Sequence, residues 1–286
     1  MADDLLDLTE VPALDEPVFL ASLDGWTDAG GAGTTASALL SSSWKQATLG
    51  AFRPDRLFDY RDRRPMLPID MGVLGQPVWP ELALDLLRSP AGHDIVLLTG
   101  GEPDFAWQSI IARLVELTRD LGITRYVGLG SVPGPVPHTR AVRVTTTSSQ
   151  PEMIDRHGGP HERVVVPASF QVMLEAGMRD AGLQTLGLWA RIPHYVGGDY
   201  PQGAIALLRK LAVTLGTVVD TSDLEPLATA NEARLADAAS GSSEVADHIT
   251  TLEEMYDADA PEPDLPSGDE IAAEFERFLR DRPEAD

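Results

Sequence analysis

The sequence predicts an α/β protein of three layers, a mainly parallel sheet flanked by helices, with a helical extension at the C-terminal end. Three observations carry that expectation. Short β-branched and leucine-rich runs alternate with longer segments of helical spacing. One such run, Ile95-Val96-Leu97-Leu98, is apolar without alternation, as a strand covered on both faces requires. After Asp220 the alternation stops, and alanine and acidic residues dominate.

In chain order, residues 1–16 are acidic and proline-containing and are expected to form a flexible arm. Residues 18–23 form an apolar strand that enters the turn Asp24-Gly25-Trp26-Thr27-Asp28-Ala29-Gly30, and small residues continue to Leu40 as a closely packed helix. A second strand is expected over 47–52, a polar exposed stretch over 58–65 and a short helix over 81–87. The strand at 94–99 leads into Gly100-Gly101-Glu102-Pro103. A helix follows, in which Phe105, Ile110, Ile111, Leu114, Val115 and Leu117 recur at helical spacing, with Gly122 beyond its end.

Strands are then expected at 125–129, 142–147 and 164–166. Ser169 is positioned to cap a helix running to Arg179, and a strand over 185–191 follows. Pro201 opens a helix to Leu215, and residues 217–219 read as a last short strand. The resulting division is 17–220 as the α/β body and 221–286 as a helical acidic extension. The extension has helices near 224–238 and 245–256, a proline-rich linker, and a final helix from Ser267 with Ile271, Phe275, Phe278 and Leu279 on one face.

Composition excludes several functions. The 286-residue chain contains no cysteine, which removes disulfides, thiolate catalysis and thiolate-ligated zinc. Its formal net charge of −23 repels phosphate backbones and anionic lipid, so neither nucleic acid nor a membrane is an expected partner. The acidic start does not resemble a secretory signal, and a cytoplasmic location is the expectation. No cofactor or metal is expected.

Candidate site residues cluster where strands end. The turn with Asp24, Gly25, Trp26, Asp28 and Gly30 offers backbone amides to an anion. It lacks the lysine of a phosphate-binding loop, its two aspartates oppose phosphate, and close helix–strand packing is the favoured explanation of the glycines. Gly101, Glu102 and Pro103 follow another strand, where Glu102 could act as a base or hold backbone amides. His138 and Arg140 lie in a proline-stiffened loop, and His194 and Tyr195 follow the 185–191 strand. The two histidines suit a catalytic pair, metal ligands or ordinary loop positions; no partner stands at ligand spacing and no nucleophile elbow is present.

Several motifs, in order, resemble the PAC2 (proteasome assembly chaperone 2) family. They are Gly25-Trp26-x-Asp28-Ala29-Gly30, Tyr60-Arg61-x-Arg63-Arg64-Pro65, Gly101-Glu102-Pro103 with Trp107, Val136-Pro137-His138-Thr139-Arg140 with the strand after it, and Ile192-Pro193-His194-Tyr195. The resemblance covers roughly 17–220. It implies a fold similar to nucleoside phosphorylases, homo-oligomers such as trimers, and a chaperone-like protein-binding role that in some relatives concerns proteasome assembly. The alternative is an enzyme or small-ligand binder acting on a nucleoside or small anion. Proteasome-binding relatives often end in a hydrophobic-Tyr-any-residue tail. This chain ends Arg282-Pro283-Glu284-Ala285-Asp286, so no docking through the tail is expected.

Overall fold

The computed structural model describes residues 5–159, 163 and 165–258. The final helix from Ser267, the tail at 282–286 and His161 lie outside the described residues. Ten strands form: β1 (Leu6–Leu8), β2 (Val18–Asp24), β3 (Lys45–Phe52), β4 (Ile69–Asp70), β5 (Val73–Leu74), β6 (Leu82–Arg88), β7 (Asp94–Gly101), β8 (Arg125–Gly134), β9 (Val144–Ser148) and β10 (Gln184–Pro193). The helices are α1 (Ala32–Trp44), α2 (Trp107–Asp120), α3 (Pro151–His157), α4 (Phe170–Asp180), α5 (Pro201–Leu215), α6 (Glu225–Ser240) and α7 (Ser243–Ala258).

Eight strands make one sheet in the order β1-β3-β6-β7-β2-β8-β10-β9. Its centre, β7-β2-β8-β10, is parallel, and the flanking strands are antiparallel. Alternation along β2 explains the layers. Val18 and Leu20 face the cluster containing Leu40 of α1 and Leu208 of α5. Phe19, Ala21 and Leu23 face the cluster containing Leu114 of α2 and Leu174 of α4. The sheet is therefore covered on both faces, which is why β2 carries Val18–Ala21 and β7 carries Ile95–Leu98 as uninterrupted apolar runs.

The sequence reading differs from the structure at several places. The span 81–87 is not a helix: β6 pairs with both β3 and β7. Its period-two leucines, Leu82, Leu84 and Leu86, all enter one core cluster, so sheet pairing overrides the helical preference of leucine. The N-terminal arm is not loose throughout, because Leu5 and Leu6 are buried and β1 pairs with β3 through Leu6↔Phe52. No strand forms at Val165 and Val166, which are exposed, nor at 217–219, where the Thr217 amide instead closes the end of α5 on the Ala212 carbonyl. An unexpected hairpin, β4–β5, lies outside the main sheet. The helices α6 and α7 pack on the body: Gln202 of α5 donates to the Ala228 carbonyl at 3.0 Å, and Ile249 and Leu252 of α7 are buried.

Candidate functional site

The parallel strands place the ends of β2, β7, β8 and β10 on one edge of the sheet, so all the sequence-identified loops start from that edge. Their contacts divide them into two groups.

The first group joins the ends of β2 and β7. The Glu102 amide donates to the Asp24 carbonyl at 2.8 Å. The Glu102 carboxylate then accepts two backbone amides, from Trp26 at 3.0 Å and from Phe170 at 2.6 Å. It ties the first turn of the fold to the start of α4. Gly25 is required there, because a Cβ would stand 2.6 Å from the Glu102 Cβ. Gly101 leaves room for Arg63, which donates to the Asp24 carboxylate at 3.0 Å. Pro103 offers its carbonyl to the Trp107 indole N–H. A cleft of about 490 Å³ opens here between Trp26, Arg63, Trp107 and Ser169. The Trp26 ring is 71% exposed above it.

Asp28 and Gly30 sit between the groups. Asp28 Oδ1 accepts from the Gly33 amide at 2.7 Å, and Oδ2 accepts from the Thr34 hydroxyl at 2.6 Å, so this side chain caps α1 from four residues before the helix begins at Ala32. Burial pushes the Asp28 carboxyl above the usual range, against the hydrogen bonds from Thr34 and Gly33. Gly30, at φ 63°, accepts the Tyr200 amide on its carbonyl, and a Cβ there would meet the Tyr200 Cβ at 2.8 Å.

The second group joins the ends of β8 and β10. The Tyr195 hydroxyl accepts from the His138 amide and lies 2.8 Å from His138 Nδ1. Burial pushes the His138 imidazole below its ordinary range, opposed by Glu253 and Glu232, and burial pushes the Tyr195 phenol up. His194 Nδ1 lies 3.2 Å from the Gly134 carbonyl, and His194 Nε2 lies 3.4 Å from His248 Nε2 on α7. Arg140 is bidentate to Asp257, at 2.9 and 2.8 Å, and reaches Glu253 at 3.1 Å. Arg143 stacks on the Tyr256 ring with its guanidinium 3.7 Å from the centroid. The helix α7 thus lies across the second group. Beside it a cleft of about 720 Å³ is lined by His138, Arg140, Val142, Tyr200, Lys210 and Glu232.

Two features escaped sequence reasoning. The first is the crevice where strand order switches direction, between β2 and β8, the place where open α/β sheets bind ligands. The two strands stop pairing after Ala21↔Gly128. The gap is closed from within by Gln171, 1% exposed, which accepts from the Leu23 amide at 3.2 Å and donates to the Leu129 carbonyl at 3.0 Å. Further out, the Ser131 amide donates to the Thr27 carbonyl at 2.8 Å, and the Ser131 hydroxyl to the Ala29 carbonyl at 2.7 Å. No sequence signal marks Gln171 for this place beyond its position after the Ser169 cap. The second is the docking of α7: a helix near 245–256 is expected from the sequence, but its acidic side chains read as a solvated face, whereas Glu253 and Asp257 meet Arg140 and Ile249 and Leu252 are buried. Among the described residues, no group of three or more His, Asp or Glu side chains is placed to hold a metal ion, and no helix is long and apolar enough to cross a membrane.

Comparison with known proteins agrees with this geometry. The family model described as "PAC2 family" matches residues 22–239. A Mycobacterium tuberculosis protein of unknown function is similar at 33% identity, covering 89% of this chain and 91% of its own, with a TM-score of 0.83. A PAC2 family protein from Streptomyces avermitilis is similar at 31% identity, 82% and 99% coverage and a TM-score of 0.74. A proteasome-assembly chaperone homologue from M. tuberculosis is similar at 29% identity, 81% and 99% coverage and a TM-score of 0.75. No curated protein matches the sequence.

Proposed function

This chain belongs to the PAC2 family, and from that premise we propose that it is a protein-binding, chaperone-like assembly factor, with proteasome subunits as the first candidates for its partner. The observation that carries the reading is the closed switch-point crevice. Gln171 and Ser131 spend their polar groups on backbone and on Asp28 there, and the Thr27 hydroxyl is spent on Ser169, where an enzyme of this architecture would keep room for a substrate. Glu102, the carboxylate best placed for acid–base work, is likewise committed to two backbone amides. What the same edge offers outward is apolar: Trp26 and Phe105 are 71% and 53% exposed. Surfaces of that kind serve protein contacts. The resemblance to a proteasome-assembly chaperone homologue gives the partner class.

The test is co-purification with proteasome α subunits from the same cell, comparing the chain with Trp26→Ala plus Phe105→Ala. Retention of α subunits, lost in the double variant, supports the reading. Retention unaffected by the variant moves the contact elsewhere, and no retention of any α subunit overturns the proteasome assignment. A second reading, a small-ligand binder, draws on the 720 Å³ cleft beside His138, a volume within the range of ligand pockets. Thermal-shift screening against nucleosides and inorganic phosphate tests it.

A further inference from the structure

The parallel strands begin at the edge away from the motif loops, and a cleft of about 390 Å³ opens there. Val18, Arg125 and Gln184 stand level at this edge, in the registers Val18↔Arg125 and Gln184↔Arg125. Alternation fixes their direction. Val127 and Leu186 belong to the cluster under α5, so Arg125 and Gln184, two residues earlier on β8 and β10, face the same way. Lys210 and Leu215 of α5 meet them, and Met153 and His157 of α3 complete the wall. The floor is apolar: Val18, Val127, Leu186 and Leu215 are buried members of one core cluster.

Three basic side chains line this cleft, Arg125, His157 and Lys210, and among the described residues no carboxylate does. Composition runs the other way, since Asp and Glu outnumber Lys and Arg by 45 to 22 in the chain. Lys210 Nζ donates to the His157 carbonyl at 2.9 Å, and burial pushes its ammonium below the ordinary lysine range. The half-buried Arg125 guanidinium forms neither a hydrogen bond nor an ion pair among the described residues. A cation at the last carbonyl of α3 accounts for Lys210, because it meets the negative end of the helix, but leaves Arg125 unexplained. Two cations drawn into one apolar cleft without a counter-charge cost free energy, which an anion entering the cleft recovers.

We propose that this cleft binds a small organic acid, its carboxylate held by Arg125 and Lys210 and its apolar body laid on Val18, Leu186 and Leu215. Each part of the ligand follows from the lining. Arginine presents paired N–H donors that match a carboxylate, and lysine adds a point charge. The buried floor favours a hydrocarbon body over a bare inorganic anion. The volume lies within the range of small-molecule sites, about 300–1,000 Å³. The net charge of −23 opposes any anion at long range, but physiological salt screens that field beyond about 8 Å, which leaves the cations lining the cleft in control. The site is independent of the assembly-factor reading. It uses neither Trp26 nor Phe105, and it lies at the opposite ends of the strands from Glu102 and His138.

The chain has only two lysines, Lys45 and Lys210. Isotope labelling of the full chain at the lysine ε carbon therefore gives two resonances, and Lys45, held by Asp85 at 2.8 Å, is the internal reference. The probe is hexanoate, titrated by NMR from about 0.1 to 30 mM at fixed pH and ionic strength. The Lys210 signal should shift saturably while the Lys45 signal stays. Hexanol, which lacks the charge, and inorganic phosphate, which lacks the apolar body, should each bind about tenfold more weakly or less. Arg125→Gln should weaken hexanoate about tenfold and leave the urea midpoint unchanged, since its guanidinium holds no part of the fold. A Lys210 signal indifferent to hexanoate in the wild type overturns the inference, as does an affinity that Arg125→Gln leaves unchanged. Phosphate binding as tightly as hexanoate would make the cleft a bare anion site, and hexanol binding as tightly would make it an apolar one; either result overturns the organic acid.

Discussion

Glu102 holds Trp26: the tryptophan's backbone amide donates to Glu102 Oε2 at 3.0 Å beyond the paired ends of β2 and β7, while Oε1 takes the Phe170 amide at 2.6 Å. The pair converts a carboxylate that reads as a catalytic candidate into a clamp for the most exposed aromatic of the edge.

From this clamp we expect Glu102→Gln to lower stability by about 1–3 kcal/mol, because one amide donor would then face an NH₂ group. Gly25→Ala acts on the same contact, its Cβ falling 2.7 Å from Glu102 Oε2. The two changes together should cost less than the sum of each alone, since either one undoes the clamp. Urea unfolding of the two single variants and the double variant checks this; additive losses would show that the residues act independently.

Asp28→Ala should cost about 1–2 kcal/mol, the scale of a lost helix cap, because the Gly33 amide and the Thr34 hydroxyl both lose their acceptor. Asp28→Asn, which keeps one oxygen, should recover part of that. If Ala and Asn variants unfold at the wild-type urea midpoint, α1 is capped by other means.

Glu175 on α4 gives a pH dependence. Its carboxyl is buried and accepts from the Thr147 hydroxyl at 2.9 Å; burial pushes it up to about 7 from 4.5, opposed by Thr147 and Arg179. The folded state therefore holds this proton where the unfolded chain has released it. Its contribution is fully present below about pH 4.5 and falls as pH rises to about 7, by about 3 kcal/mol. Glu175→Gln removes that slope. The variant should match the wild type near pH 4.5 and exceed its stability at pH 8. Equal midpoints at pH 8 would mean that the site is already relaxed or hydrated.

Beside its buried Ile249 and Leu252, the helix α7 is held by partly exposed ion pairs, with Arg140, Asp257 and Glu253 at 35%, 54% and 26% side-chain exposure. Water and salt screen such pairs, so each contributes little. Arg140→Ala should speed hydrogen exchange in 243–258 by about three- to tenfold and leave the melting of the α/β body unchanged. Raising salt should do the same to the wild type. Protection of α7 that is indifferent to both would place its docking on Ile249 and Leu252 alone.

The regular elements were legible where local signals agreed. Pro201 and Gly216 bound α5 as their backbone preferences demand, Ser169 caps α4 with its hydroxyl accepting the Val172 amide, and the uninterrupted apolar run of β7 marks a strand covered on both faces. Leu82 to Leu87 misled because leucine favours helices locally, and only two neighbouring strands made its period-two pattern decisive. The motif residues Glu102, Asp28, His138 and Tyr195 were also legible, since their types and their places at strand ends are sequence facts.

By itself, then, the sequence determined the layer order, the strand-end loops and the family motifs, because hydrophobic period, turn chemistry and residue type are local properties. The tertiary structure alone decided what those residues do. Gln171 closing the β2–β8 crevice lies 148 residues from the Leu23 amide it accepts. The Glu102 carboxylate meets the Phe170 amide 68 residues away, and Arg140 meets Asp257 117 residues away. The exposure of the β4–β5 hairpin, residues 69–74, is likewise decided by what fails to pack against it. Partners at such separations, and the absence of one, follow from how the whole sheet closes on its helices, and no local pattern encodes them.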